Sequence, residues 1–202
     1  DMRQIAIDFV TNDEVILSCK AKWGSGKTHI IVKNIFEEAQ KHNKRVVFIT
    51  ENNALNKKYS EDFNIQTHIN NKKINNKISI ACSTESIYKL EINESDILIL
   101  DEFETILGHY ESDTFKGKAF DRFLKLKDAI KSVKKIIVLD ADLSKDRINL
   151  LSQIKHNIKI NTYDIKTNNF KDYKFNIYVK EKSFINTIIT ETLKQNNKII
   201  IP

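Results

Sequence analysis

Four residues in this sequence have types and neighbours that could do chemistry: Lys27, Thr28, Asp101 and Glu102. Lys27 and Thr28 close the octet Ala21-Lys22-Trp23-Gly24-Ser25-Gly26-Lys27-Thr28, which lies between an apolar run, 15–19, and a helical pattern, 29–40. A strand, a tight glycine-bearing loop ending in Gly-Lys-Thr and a helix together form the setting in which such an octet binds phosphate. Gly24 and Gly26, with Ser25 between them, let the backbone curl so that its N–H groups point inward as an anion nest. The helix that follows adds its positive end. Lys27 is then placed to reach the β- and γ-phosphates of a nucleotide, and the Thr28 hydroxyl to bind Mg²⁺. Ala21 stands where the simplest form of the pattern has glycine, and a plain glycine-rich turn before a helix is the alternative.

The acidic pair opens Asp101-Glu102-Phe103-Glu104, directly after four aliphatic residues, 97–100. In a parallel sheet, ligands lie beyond the carboxyl ends of the strands. Asp101 therefore falls beside the phosphate loop, where a carboxylate can hold Mg²⁺ through water, and Glu102 can take a proton from an attacking water. The competing explanation is that acidic residues open helices, where they favour the dipole. Two further strand ends carry polar residues at the same level, Thr50 and Asp140-Ala141-Asp142. An Asp after a buried strand needs solvent, a metal or a donor, and Asp142 serves equally well as the N-cap of a helix from 143.

The elements that would position these residues alternate. Apolar spacing predicts helices over 2–10, 29–40, 54–63, 84–90, 102–107 (stopping near Gly108), 119–132 and 143–155. Strands are predicted over 14–20, 45–50, 64–69, 78–82, 96–100, 135–139 and 158–163, with a polar turn at 70–77. Strands apolar on both faces and alternating with helices argue an α/β fold, with a mainly parallel sheet flanked by helices. Residues 164–172 read as a linker. A strand (173–179), a helix (183–195) and a strand (198–201) follow as the opening of a second unit, too short to bury a core alone.

The chain has 202 residues, 41% hydrophobic and 30% charged, enough for one α/β domain plus part of another. No apolar run approaches the roughly 20 residues a bilayer span needs. The absence of a signal-peptide pattern at the start predicts an intracellular protein with no membrane partner. Cys19 and Cys82 lie in apolar strands and read as reduced core residues without metal-ligand spacing. The net charge of +6 fits a polyanion partner. Lys41, Lys44, Arg45, Lys57, Lys58, Lys72, Lys73 and Lys77 give two crossovers a basic tone that could meet phosphates. A solvated lysine-rich surface explains the same residues. Tyr59 and Phe63 follow a helical pattern and read as core rather than base-stacking residues. His68 and His109 receive no role.

The octet 21–28, Asp101-Glu102-Phe103-Glu104 and Asp140-Ala141-Asp142-Leu143-Ser144 resemble motifs I, II and III of superfamily 2 helicases. Within that group the likeness is to the herpesvirus-type replication-origin-binding protein family. In that family the loop reads Ala-Pro-Met-Gly-Ser-Gly-Lys-Thr, and an Asp-Ala-Asp replaces the usual Ser-Ala-Thr. The stretch 83–90 is similar to its Glu-Ser-Leu-His-Arg-Leu. The resemblance covers about 2–165. It implies a P-loop NTPase of RecA-like fold over 1–165, and over 166–202 a linker and the start of a second RecA-like domain. It further implies ATP and Mg²⁺ as cofactors, nucleic acid (DNA favoured over RNA) as partner, and a viral or plasmid replication context. Gly24 to Thr28 would hold nucleotide, Thr28 and Asp101 the metal, with Lys27, Asp101 and Glu102 catalytic. Asp140 and Asp142 would couple turnover to movement. Thr50, Glu51, Asn52, Thr84 and Ser86 would touch the nucleic-acid backbone. Lys22 and Trp23 depart from the family's Pro and Met. The arginine motifs of a second domain lie beyond the last residue, so weak or incomplete hydrolysis is expected of this chain.

Two rivals stay open. A small nucleotide kinase needs an arginine-rich lid, and Arg3, Arg45, Arg122 and Arg147 form no cluster in the sequence. A nucleic-acid-binding module using ATP only as a switch has no need for a base beside the metal ligand.

Overall fold

The computed structural model describes residues 2–12, 15–21, 31–69, 74–111, 119–156 and 160–165. The chain divides into two compact units, Asp1–Thr167 and Asn168–Pro202, and the second lies outside the described residues. The first unit runs α1 (Met2–Thr11), β1 (Val15–Ala21), α2 (Lys33–Lys41), β2 (Val46–Thr50), α3 (Asn53–Phe63), β3 (Gln66–Thr67) and β4 (Ile80–Ser83). It continues through a 3-10 helix (Thr84–Lys89), β5 (Ile97–Asp101), α4 (Phe103–Glu111), α5 (Ala119–Ser132), β6 (Lys135–Asp140), α6 (Lys145–Ile154) and β7 (Ile160–Ile165).

The seven strands form one sheet in the order β3-β4-β2-β5-β6-β1-β7, every neighbouring pair parallel. Strand side chains alternate between two cores, as a period of two requires. Leu17, Cys19, Phe48, Ile97, Ile99, Ile137 and Leu139 meet α1, α2 and α3 on one face. Ile16, Val47, Ile49, Leu98, Leu100, Ile136 and Val138 meet the 3-10 helix, α4, α5 and α6 on the other. The connections leaving β1 and β2 therefore run over one face, and those leaving β4, β5 and β6 over the opposite face. Right-handed crossovers demand this reversal when the strand order changes direction. The reversal splits the loops at the carboxyl ends of β2 and β5, and of β6 and β1, which opens a crevice there.

Most boundaries follow from local chemistry. Asn43 and Asn64, at φ 52° and 50°, take the left-handed conformation that ends α2 and α3. Asn52 caps α3, its Oδ1 accepting from the Ala54 N–H at 2.7 Å. Cys19 and Cys82 are buried free thiols, and burial pushes both up to about 12. One boundary differs from expectation: α4 passes through Gly108 to Glu111 instead of stopping there. Packing beyond the glycine carries the helix on, since the Tyr110 and Phe123 rings pack in a T-shaped pair with centroids 5.8 Å apart. A tertiary contact of this kind outweighs the roughly 1 kcal/mol that glycine costs a helix.

Candidate functional site

β1 ends at Ala21, at the carboxyl edge of the sheet. Gly24, Ser25, Gly26, Lys27 and Thr28 lie outside the described residues. The acidic strand ends lie within them. Asp101 stands opposite Leu139 on β6, and Asp140 opposite Lys20 on β1. Asp101, Asp140 and the exit of β1 thus occupy three consecutive strands at one edge. At about 4.8 Å per strand spacing, the ends of β5 and β1 lie roughly 10 Å apart.

The two buried aspartates have different surroundings. Asp140, 3% exposed, is occupied by backbone donors. Its Oδ2 accepts from the Glu104 N–H at 2.7 Å, and its Oδ1 from the Asp142 N–H at 2.9 Å. It therefore caps α4 from a neighbouring strand and fixes the turn after β6. Asp101, 2% exposed, accepts at Oδ2 from the hydroxyl of Tyr59 on α3. A buried carboxylate at a strand end is an oxygen donor of the kind that suits a hard cation. No cluster of three or more potential metal ligands exists among the described residues. A Mg²⁺ held by one carboxylate, a hydroxyl and phosphate oxygens needs none.

Glu102 follows with φ 61°, a left-handed value that is strained for a residue with a Cβ. Its N–H donates to the Leu139 carbonyl at 2.9 Å, which pins the peptide after Asp101 to β6. Its own carbonyl accepts from Ile106 as the first turn of α4. Backbone strain held by surrounding bonds clusters at functional sites.

Glu104, which the sequence did not single out, bridges the two acidic segments. Its Oε1 accepts from the Ser144 N–H at 2.8 Å and its Oε2 from Arg147 Nε at 3.0 Å. Burial works to raise this carboxyl, but the hydrogen bonds from Ser144 and the Arg147 guanidinium prevail and hold it below the ordinary value. Ser144, not Asp142, caps α6 by accepting from the Arg147 N–H at 3.4 Å. Asp142 is exposed on the preceding turn.

The residues expected to touch nucleic acid are divided. Asn52 is exposed at the start of α3, as are Asn53, Lys57 and Lys58. Thr50 is fully buried, its hydroxyl donating to the Asn52 carbonyl at 3.1 Å. Glu51 turns to its neighbours: Thr84 Oγ1 donates to its Oε2 at 2.7 Å, and His109 Nδ1 lies 2.9 Å from its Oε1. Burial raises the Glu51 carboxyl against those two partners. Thr84 and Ser86 are buried as well. Arg45, counted in the sequence among basic surface residues, is instead 8% exposed and paired with Asp96 at 3.0 Å. Among the described residues, no helix is long and apolar enough to cross a membrane.

An all-parallel sheet of this order, with acidic residues ending the strands at its reversal, has the fold of RecA-like helicase domains. The Sulfolobus solfataricus SWI2/SNF2 ATPase core in complex with dsDNA superposes with a TM-score of 0.50 at 17% identity, over 76% of this chain and 32% of its own. The Pyrococcus furiosus Hef helicase domain gives 0.53 at 12% identity, over 87% and 40%. A DEAD box protein from Methanococcus jannaschii gives 0.58 at 16% identity, over 96% and 56%. The chain thus spans between a third and just over half of these structures, and what it shares with them is the fold. Among curated proteins, none matches the sequence. The chain belongs to the origin of replication binding protein family, whose sequence profile matches residues 4–196. It is a helicase-like domain of that family.

Proposed function

We propose that this domain is the nucleotide-driven half of a DNA helicase or translocase, binding Mg²⁺–ATP and hydrolysing it. The observation that carries the proposal is the pairing at the end of β5 of a buried carboxylate, Asp101, with a strained acidic residue, Glu102. Both stand two strands from the exit of β1 into the Gly-Lys-Thr loop. In this reading Gly24, Ser25, Gly26 and Lys27 cradle the phosphates, and Thr28 and Asp101 hold the metal. Bound Mg²⁺ supplies charge neutralisation at the β- and γ-phosphates. Glu102 orients a water and takes its proton. The rest of the rate comes from positioning rather than from covalent chemistry.

Asp140 acts with Glu104 and Arg147 as the brace through which the acidic segment of β5 and the turn after β6 move together. Asp142, exposed beside that brace, faces whatever approaches the crevice. The exposed start of α3, with Asn52, Lys57 and Lys58, is the described surface best suited to a sugar-phosphate backbone. Thr50, Glu51, Thr84 and Ser86 shape that surface from beneath. DNA is favoured over RNA because the family is one of replication-origin binding. Residues 166–202 are assigned to a linker and the start of a second RecA-like domain.

The test is Glu102→Gln. Wild type turns ATP over slowly when Mg²⁺ and single-stranded DNA are present, since the arginine motifs of a second domain are not among these residues. The variant binds Mg²⁺–ATP as well as wild type and turns it over at least about 100-fold more slowly, as loss of a general base requires. Equal turnover by the two proteins would falsify the assignment of Glu102. Binding without turnover by wild type would instead identify a module that uses the nucleotide as a switch.

A further inference from the structure

Tyr59 lies on α3, outside all three acidic and phosphate-binding segments, yet its hydroxyl donates to the carboxylate of Asp101. The tyrosine is 1% exposed and its ring is clamped. Phe48 of β2 stacks on it at 4.9 Å between centroids, and Phe63 lies at 6.1 Å, one helical turn further on. Phe48 and Phe63 are themselves stacked at 5.6 Å, and Phe36 of α2 closes the cluster at 4.9 Å from Phe63. Four aromatic rings from two helices and a strand thus fix the direction of one hydroxyl. An apolar core gains nothing from carrying that oxygen, and phenylalanine would fill the same space. The hydroxyl is placed for its acceptor.

We propose that Tyr59 is a positioning residue for the metal-bearing carboxylate, orienting Asp101 so that an oxygen faces the cation. This rests on the assignment of Asp101 to Mg²⁺ made above. Groups that hydrogen-bond a metal's ligands set the ligand's orientation, and their removal typically weakens metal binding about 10- to 100-fold. A ligand carboxylate on a strand end has two torsions to lose, and a hydroxyl held by stacked rings removes them before the metal arrives. The apolar pattern of α3 reports only the ring, which is why the hydroxyl's role is legible in the tertiary structure alone.

The experiment measures ADP affinity of the whole chain by calorimetry with Mg²⁺ and with EDTA, and takes the ratio of the two as the metal's contribution. Three proteins are compared: wild type, Tyr59→Phe, which keeps the ring, and Phe63→Leu, which strips packing from the same cluster but keeps the hydroxyl. Tyr59→Phe is expected to lower the ratio about tenfold relative to Phe63→Leu, with the EDTA affinity of both near that of wild type. That comparison holds even if Tyr59→Phe melts earlier, because Phe63→Leu reports what a loosened core does to the ratio. A ratio in Tyr59→Phe equal to that of Phe63→Leu or of wild type overturns the role of the hydroxyl and leaves the function intact. A wild-type ratio near one removes the metal site itself, and the proposal for Tyr59 falls with it.

Discussion

At the scale of single residues, Glu102 shows how the site departs from ordinary backbone preference. Its φ of 61° is maintained by the N–H bond to Leu139 and by the start of α4 behind it. A left-handed conformation costs a residue with a Cβ about 1–2 kcal/mol, and a β-branched residue more. Glu102→Gly and Glu102→Val remove the same carboxylate but differ in that penalty. The glycine variant is expected to be at least about 1 kcal/mol more stable than the valine variant in urea denaturation. Equal stability would mean that the backbone relaxes when the side chain is changed, and that the conformation belongs to the glutamate rather than to the turn.

At the scale of elements, the crosslink between α4 and α6 joins the segments after β5 and β6 through one carboxylate, Glu104. Its contribution to stability depends on pH with a definite sign. The folded-state value lies below the ordinary 4.5 because Ser144 and Arg147 outweigh burial. The stabilisation is therefore fully present above about pH 4.5 and is lost as pH falls through the lower, folded value. Glu104→Gln cannot titrate there. The variant is less stable than wild type at pH 7, and the gap between them narrows as pH falls below 4.5 in melting experiments. A gap that stays constant on acidification would show that Glu104 acts through shape and not through its charge. The same crosslink gives Asp140 its place: its two oxygens accept backbone N–H bonds from Glu104 and Asp142, whereas Asp101 accepts from a side-chain hydroxyl.

At the scale of the whole molecule, the two edges of the sheet do different work. The carboxyl edge collects the left-handed Glu102, the buried Asp101 and Asp140, and the end of β1. The amino edge is closed by Arg45, which donates to Asp96 at 3.0 Å, to the Glu91 carbonyl at 2.7 Å and to the Ile78 carbonyl at 3.1 Å. These bonds tie the starts of β2 and β5 to the loops before β4 and β5. Both side chains are buried, and burial raises the Asp96 carboxyl even beside its guanidinium. Removing one partner of such a pair leaves a buried charge uncompensated, at a cost of about 3–5 kcal/mol. Asp96→Ala is expected to lose that much in denaturant titration. In the folded variant nucleotide affinity should be unchanged, because the pair lies at the edge opposite the site. A large fall in affinity would show that the two edges are coupled.

The sequence by itself determined the sheet's membership, the alternation of strand and helix, and the strands that end in acidic residues. Apolar runs between turn residues and acidic pairs after aliphatic strands are local patterns, and local patterns survive in one dimension. Only the tertiary structure decided which of two similar aspartates is braced by backbone and which is held by a hydroxyl. It also decided that Glu51 and Thr84 engage each other rather than the surface, that Arg45 is buried, and that Gly108 lies inside a helix. Each of these depends on a partner between 13 and 51 residues away in sequence, brought near by the fold. Strand order comes from the direction in which successive crossovers turn, and no single stretch of sequence carries that information.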